Sequence, residues 1–204
     1  VFHEYREWAK IMNIENSVDL NKVVSSGKVA DLIRIDEVLQ SNKLLNIAEQ
    51  INKNKDKIKI ILMAGPSSSG KTTSSRKLSM YLRSFGMKIR PISMDDYFLE
   101  KEETPIGKDG KQDFECLEAL DLKLFDSQIE KLLKHEEVTI PTYNFVLGTK
   151  EFKQKVKLDD NEILIIEGIH ALDSNILTNI KRENKFKIYL SALTELNIDN
   201  HNRI

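Results

Sequence analysis

The stretch Lys57–Leu78, KIKIILMAGPSSSGKTTSSRKL, constrains this chain more than any other. Residues 58–64 are a nearly unbroken apolar run, the pattern of a strand buried on both faces. The next eight residues, Gly65-Pro66-Ser67-Ser68-Ser69-Gly70-Lys71-Thr72, satisfy G-x-x-x-x-G-K-[ST], and Thr73 leads into a helical pattern. Glycines at such positions permit positive φ and close backbone approach, so successive N–H groups converge on phosphate oxygens. The following helix N-terminus adds a potential that favours an anion. In this chemistry Lys71 bridges the β- and γ-phosphates and the Thr72 hydroxyl sits on Mg²⁺. The expected ligand is a nucleoside triphosphate, held by residues 65–73.

Strand, loop and helix alternate onward from this point. A helix carrying Leu78, Tyr81, Leu82 and Phe85 on one side should stop at Gly86, and MKIRPISM (87–94) reads as the next strand. Asp121 opens a helix with Phe125, Ile129, Leu132 and Leu133; residues 137–158 alternate like a β-hairpin around LGTK. EILIIEG (162–168) and FKIYLS (186–191) are two more buried strands. The class is α/β: a P-loop NTPase-type parallel sheet with crossover helices, a hairpin and an N-terminal helical segment. Residues 1–57 form that segment, with Phe2, Tyr5, Trp8, Ala9 and Met12 as one apolar stripe. Asp36 reads as the N-cap of a second helix whose Leu45, Ala48 and Ile51 share a face, and residues 58–204 form the core domain. His3 and Trp8 read as packing or surface residues.

The bulk numbers narrow the functional classes. Basic and acidic side chains balance at 31 and 32, for a net charge of −1, so neither a nucleic-acid footprint nor a basic membrane surface is expected. No apolar run reaches the ~18 residues of a membrane span. Cys116 is the only cysteine, which excludes an internal disulfide and suggests a reducing, cytoplasmic setting. The N-terminus lacks both a signal-peptide pattern and a methionine, so the chain is expected to be a piece of a longer protein.

Two further stretches bear on chemistry. SMDDYF puts Asp95 and Asp96 at the C-terminal end of a strand, on the edge where open α/β sheets bind ligands. A carboxylate there can take a proton from a hydroxyl attacking the γ-phosphate. ILIIEGIHAL delivers Glu167 to the same edge after four apolar residues, the placement of an acid associated with Mg²⁺.

GPSSSGKTT, SMDDYF, DFECLEALDLKLF, IPTYNF and IIEGIHAL, in this order, resemble the uridine kinase and phosphoribulokinase group of P-loop kinases. The chain looks most like a bacterial subset in which the kinase follows a portion similar to part of threonyl-tRNA synthetase, with residues 1–57 as the connection. The resemblance implies transfer of the γ-phosphate of ATP or GTP to a primary hydroxyl, that of uridine or cytidine in the name-giving members. By position it implies Asp95 as catalytic base and Glu167 as the Walker-B-like acid beside Thr72. It also implies Tyr143 beside the nucleoside base, with Asp96, Tyr97 and Glu115 at the acceptor. Two stretches depart from the pattern: Glu115-Cys116-Leu117 stands where Asp-His-Pro is usual, and Leu147-Gly148-Thr149 where a histidine reads the pyrimidine. The chain also ends before the family's arginine-rich helix and lid, for which Arg203 is too isolated a substitute. Two readings follow: a small-molecule kinase, and a nucleotide-binding regulatory module without acceptor chemistry. The oligomeric state is open, a homo-oligomer included.

Overall fold

A computed structural model describes residues 2–191 and 196–199, with side chains from residue 7 onward. The side chains of Phe2, His3 and Tyr5, and all of Arg203, lie outside the described residues. Two compact units divide the chain: residues 47–190, and residues up to Asn46 together with those from Ser191 on.

The smaller unit is helical. α1 spans Phe2–Met12, α2 spans Ser17–Ser25, and α3 starts here as Val29–Lys53. The Asn16 side chain caps α2 by accepting from the Asp19 N–H at 3.0 Å. Asp36, expected to open a helix, lies well inside α3, where its carboxylate accepts the Trp8 indole N–H at 2.8 Å. The preceding VADLIRI holds no glycine or proline, so nothing stops the helix from starting seven residues earlier, at Val29.

The larger unit is built on a parallel sheet of β1 (Ile60–Ala64), β2 (Lys88–Ser93), β5 (Glu162–Glu167) and β6 (Lys185–Tyr189), in the order β2-β5-β1-β6. β1 lies between β5 and β6, pairing Leu62 with Ile166 and with Lys187. Strand alternation sends its residues to two cores. Ile60, Leu62 and Ala64 join Ile92, Leu164 and Ile166 beneath α5 (Leu122–Leu133) and the hairpin of β3 (Val138–Asn144) and β4 (Thr149–Val156). Ile61 and Met63 join Ile89, Ile163 and Ile165 beneath α4 (Lys71–Ser84) and the fully buried Ala48 and Ile51 of α3. A sheet covered on both faces is why β1 reads as uninterrupted apolar sequence.

α5 is capped as expected, with Asp121 accepting from the Leu124 N–H at 3.1 Å. The β5–β6 connection differs from the expected crossover helix, since residues 168–184 are turns and one 3-10 turn, Arg182–Asn184. Polar side chains interrupt it: Asp173 accepts the Asn175 N–H at 2.8 Å, and Asp126 accepts the Leu177 N–H at 3.0 Å. Among the described residues no helix is long and apolar enough to cross a membrane.

Candidate functional site

The loop after β1 turns on its two glycines. A Cβ on Gly65 would come within 2.6 Å of Ser69 Oγ and 2.7 Å of the Leu190 carbonyl oxygen, so only glycine fits. Gly70 has φ +81° and opens α4, and Ser68, though not glycine, has φ 59°. Lys71 folds over the loop, its Nζ donating to the carbonyls of Gly65 and Pro66 at 2.9 Å each. The Ser69 hydroxyl is buried with no hydrogen-bond partner. Ser67, Gly70, Thr72 and Thr73 are exposed, while Ser74 and Ser75 sink into the core and fix the helix beneath.

β5 brings the second acidic position to this loop. Glu167 ends the strand, in register with Met63 of β1 on one side and Ser93 of β2 on the other. The Thr72 hydroxyl lies 2.9 and 3.1 Å from the two Glu167 carboxylate oxygens. Met94–Tyr97 then form a 3-10 turn capped by Ser93, whose Oγ accepts the Asp95 N–H at 3.3 Å. A Cβ on Gly168 would meet Met94 Cβ at 2.7 Å, so the end of β5 packs closely against the Met94 side chain of the turn carrying Asp95. Asp95 is exposed at this edge, yet enough protein surrounds its carboxyl to push the pKa above the ordinary carboxylate value; the charges of Lys71 and His170 oppose that rise.

The neighbouring wall is aromatic and acidic. Asp96 accepts the Tyr143 N–H at 3.2 Å, and partial burial raises its pKa too. Tyr143 is 5% exposed, its hydroxyl buried without a partner, and its ring meets Phe98 at 5.7 Å and Phe145 at 4.9 Å, edge to face. Phe114 joins this group, 5.3 Å from Phe98. Glu115 is held by a bond from its N–H to Asp113 Oδ1 (2.9 Å), and its carbonyl oxygen lies 2.8 Å from His170 Nε2. Tyr97, expected beside the acceptor, is committed to the core. It is 1% exposed, packs edge-on to Phe125 at 5.0 Å and donates its hydroxyl to Gln128 Oε1 at 3.0 Å. With about three residues per 3-10 turn, Asp95, Asp96 and Tyr97 necessarily face different ways.

His170 and Phe114 stand outside the expected site residues, though both lie inside IIEGIHAL and DFECLEAL. A histidine three residues beyond a strand-terminal acid was the available signal. Among the described residues no group of three or more His, Cys, Asp or Glu side chains forms a metal cage. The Thr72–Glu167 pair is nevertheless a hard oxygen set suited to Mg²⁺, which keeps waters and takes phosphate oxygens for its remaining positions.

The chain is similar in sequence and fold to known proteins. The family model described as Phosphoribulokinase / Uridine kinase family matches residues 60–202. The uridine kinase of Lactobacillus helveticus is 29% identical over 133 residues, which cover 65% of this chain and 61% of the relative. That of Anoxybacillus flavithermus is 27% identical over 139 residues, 68% of this chain and 63% of the relative. The aligned part thus spans about three fifths of these relatives. Among solved structures, a possible uridine kinase from Bacillus stearothermophilus superposes with a TM-score of 0.51 at 25% identity, covering 72% of this chain and 80% of that one. The phosphate-type loop, the acidic end of β5 and the Asp95 turn all fall within the matched span, and the chain belongs to the phosphoribulokinase / uridine kinase family.

Proposed function

We propose that this chain is the core of a small-molecule kinase that transfers the γ-phosphate of ATP to a hydroxyl, with the 5′-hydroxyl of a nucleoside such as uridine or cytidine as acceptor. The observation that carries the reading is the meeting of three functions at one sheet edge. Thr72 and Glu167 are joined at 2.9 Å, Lys71 caps the loop beside them, and Asp95 feels the Lys71 charge.

In this reading residues 65–73 cradle the triphosphate, and Lys71 exchanges the carbonyls of Gly65 and Pro66 for phosphate oxygens. Thr72 and Glu167 would hold Mg²⁺, which would supply positive charge against that developing on the transferred phosphoryl group. Asp95 accepts the proton of the attacking hydroxyl, while Asp96, Glu115 and Tyr143 line the acceptor side. Glu115 and the Leu147–Thr149 turn set the acceptor preference, since a site that offers different hydrogen-bond partners discriminates differently.

The test is ADP release from MgATP across a panel of uridine, cytidine, purine nucleosides and phosphorylated sugars, with Asp95→Asn as control. Acceptor-dependent release that Asp95→Asn abolishes supports the kinase. Nucleotide binding with no stimulation by any acceptor turns the assignment to a regulatory module.

A further inference from the structure

Between the Asp95 turn and α5 the chain makes an excursion whose ends are closed by the Phe98–Leu120 bridge and the Leu99 N–H to Ala119 carbonyl bond of 2.8 Å. Its return limb, residues 113–117, carries Phe114 of the aromatic wall and Glu115. The Asp113 N–H donates to the Pro105 carbonyl at 2.7 Å, inside the excursion; the side-chain bonds are local, with Asp113 Oδ1 accepting the Glu115 N–H and Cys116 Sγ donating to the Asp113 carbonyl at 3.2 Å. Phe114, Cys116 and Leu117 also pack, partly buried, against the core beneath the sheet, contacts that hold the limb without a directional bond to the sheet's end.

His170 supplies an attachment of another kind. It sits in the turn after β5, where the Ala171 N–H reaches the Gly168 carbonyl at 3.3 Å and the Asp173 N–H reaches the His170 carbonyl at 2.9 Å. Its Nε2 lies 2.8 Å from the Glu115 carbonyl oxygen. A carbonyl only accepts, so Nε2 carries the hydrogen and donates it across a sequence separation of 55 residues. The turn that begins with the close Gly168–Met94 approach therefore also grips the acceptor limb.

We propose that His170 is a positioning residue that sets acceptor affinity by tying the Phe114–Cys116 limb to the end of β5. The inference rests on the phosphoryl-transfer reading above. The same imidazole acts electrostatically on Asp95, which keeps the anchor and the proposed base in one neighbourhood. Among the described residues, the side-chain hydrogen bonds of Lys71 and Thr72 go to Gly65, Pro66 and Glu167 and not to His170, so its effect should separate from nucleotide binding.

The test compares wild type with His170→Leu, which removes the donor, and His170→Gln, whose amide can reach the same carbonyl. His170→Leu should raise the acceptor KM about tenfold, the worth of one lost hydrogen bond, with the MgATP KM changed less than about twofold. His170→Gln should recover to within about threefold of wild type. Amide hydrogen exchange supplies a readout independent of turnover: residues 113–117 should exchange faster in His170→Leu than in the other two proteins, with residues 65–72 unchanged. A parallel rise in both KM values, failure of glutamine to restore, or unaltered exchange at 113–117 each overturns the proposal. Wild type without acceptor-dependent transfer, but with the exchange pattern as expected, would instead overturn the kinase reading and leave the anchor established.

Discussion

Asp95 shows how a single side chain is set between conflicting demands. Burial opposes its charge, whereas Lys71 and His170 favour it, and burial is the larger effect. A base must be ionised to accept a proton, so kcat/KM should rise with pH through a value above that of an ordinary carboxylate. Replacing Lys71 would push that limb higher still. The same shift bears on stability. A carboxyl whose folded pKa is raised favours the fold only below its unfolded pKa, and that contribution is lost as pH rises through the folded value. Asp95→Asn should therefore melt at a higher temperature than wild type at pH 7, with the gain shrinking as the pH falls toward the ordinary carboxylate pKa. A lower Tm for the variant at pH 7 would show that the carboxylate makes stabilising contacts in the fold.

Among elements, the contact that governs the site is the one between the end of β5 and the 3-10 turn after β2. Gly168 still bonds β1, donating to the Met63 carbonyl at 3.2 Å, so it cannot retreat from Met94, which is 1% exposed. Gly168→Ala should displace the turn and with it Asp95. The expected outcome is a kcat at least about tenfold lower, because small misplacements of a reacting group are costly for transfer. An unchanged kcat would mean the turn yields without moving the carboxylate. This contact was not legible in the sequence, whereas the loop was. Gly65–Thr72 is a local motif whose spacing encodes its own conformation, and the alternating apolar faces of β1 and α5 are likewise local. The Gly168–Met94 contact, the aromatic wall and the His170 bond join residues tens of positions apart, so no periodicity reports them. Asp36 illustrates the converse error: a good capping residue continues a helix when the residues before it also favour one, and a tertiary partner, Trp8, uses its carboxylate instead.

For the molecule as a whole, the unit holding the site begins inside α3, ahead of the first strand. Ile51 and Ala48 are fully buried with Ile61, Met63, Ile163 and Ile165, so the last turns of α3 cover one face of the sheet that carries the loop at its far edge. The charged run 52–57, which reads as a boundary, lies within this unit: Asn52 and Lys53 end α3 and residues 54–57 form a turn, the Asn54 and Lys57 N–H groups bonding back to Ile51 and Asn54. Burying an isoleucine contributes roughly 1.5–3 kcal/mol, and Ala48 adds to it. A fragment of residues 47–190 should then unfold cooperatively and bind MgATP. One of residues 58–190 should melt about 10 °C lower, because a loss of some 3 kcal/mol moves Tm by several degrees in a domain of this size. Thermal melts of the two fragments with and without MgATP make the comparison. Equal melting temperatures would remove α3 from the core, whereas a lower Tm with nucleotide protection retained would show that the helix stabilises the sheet without shaping the loop.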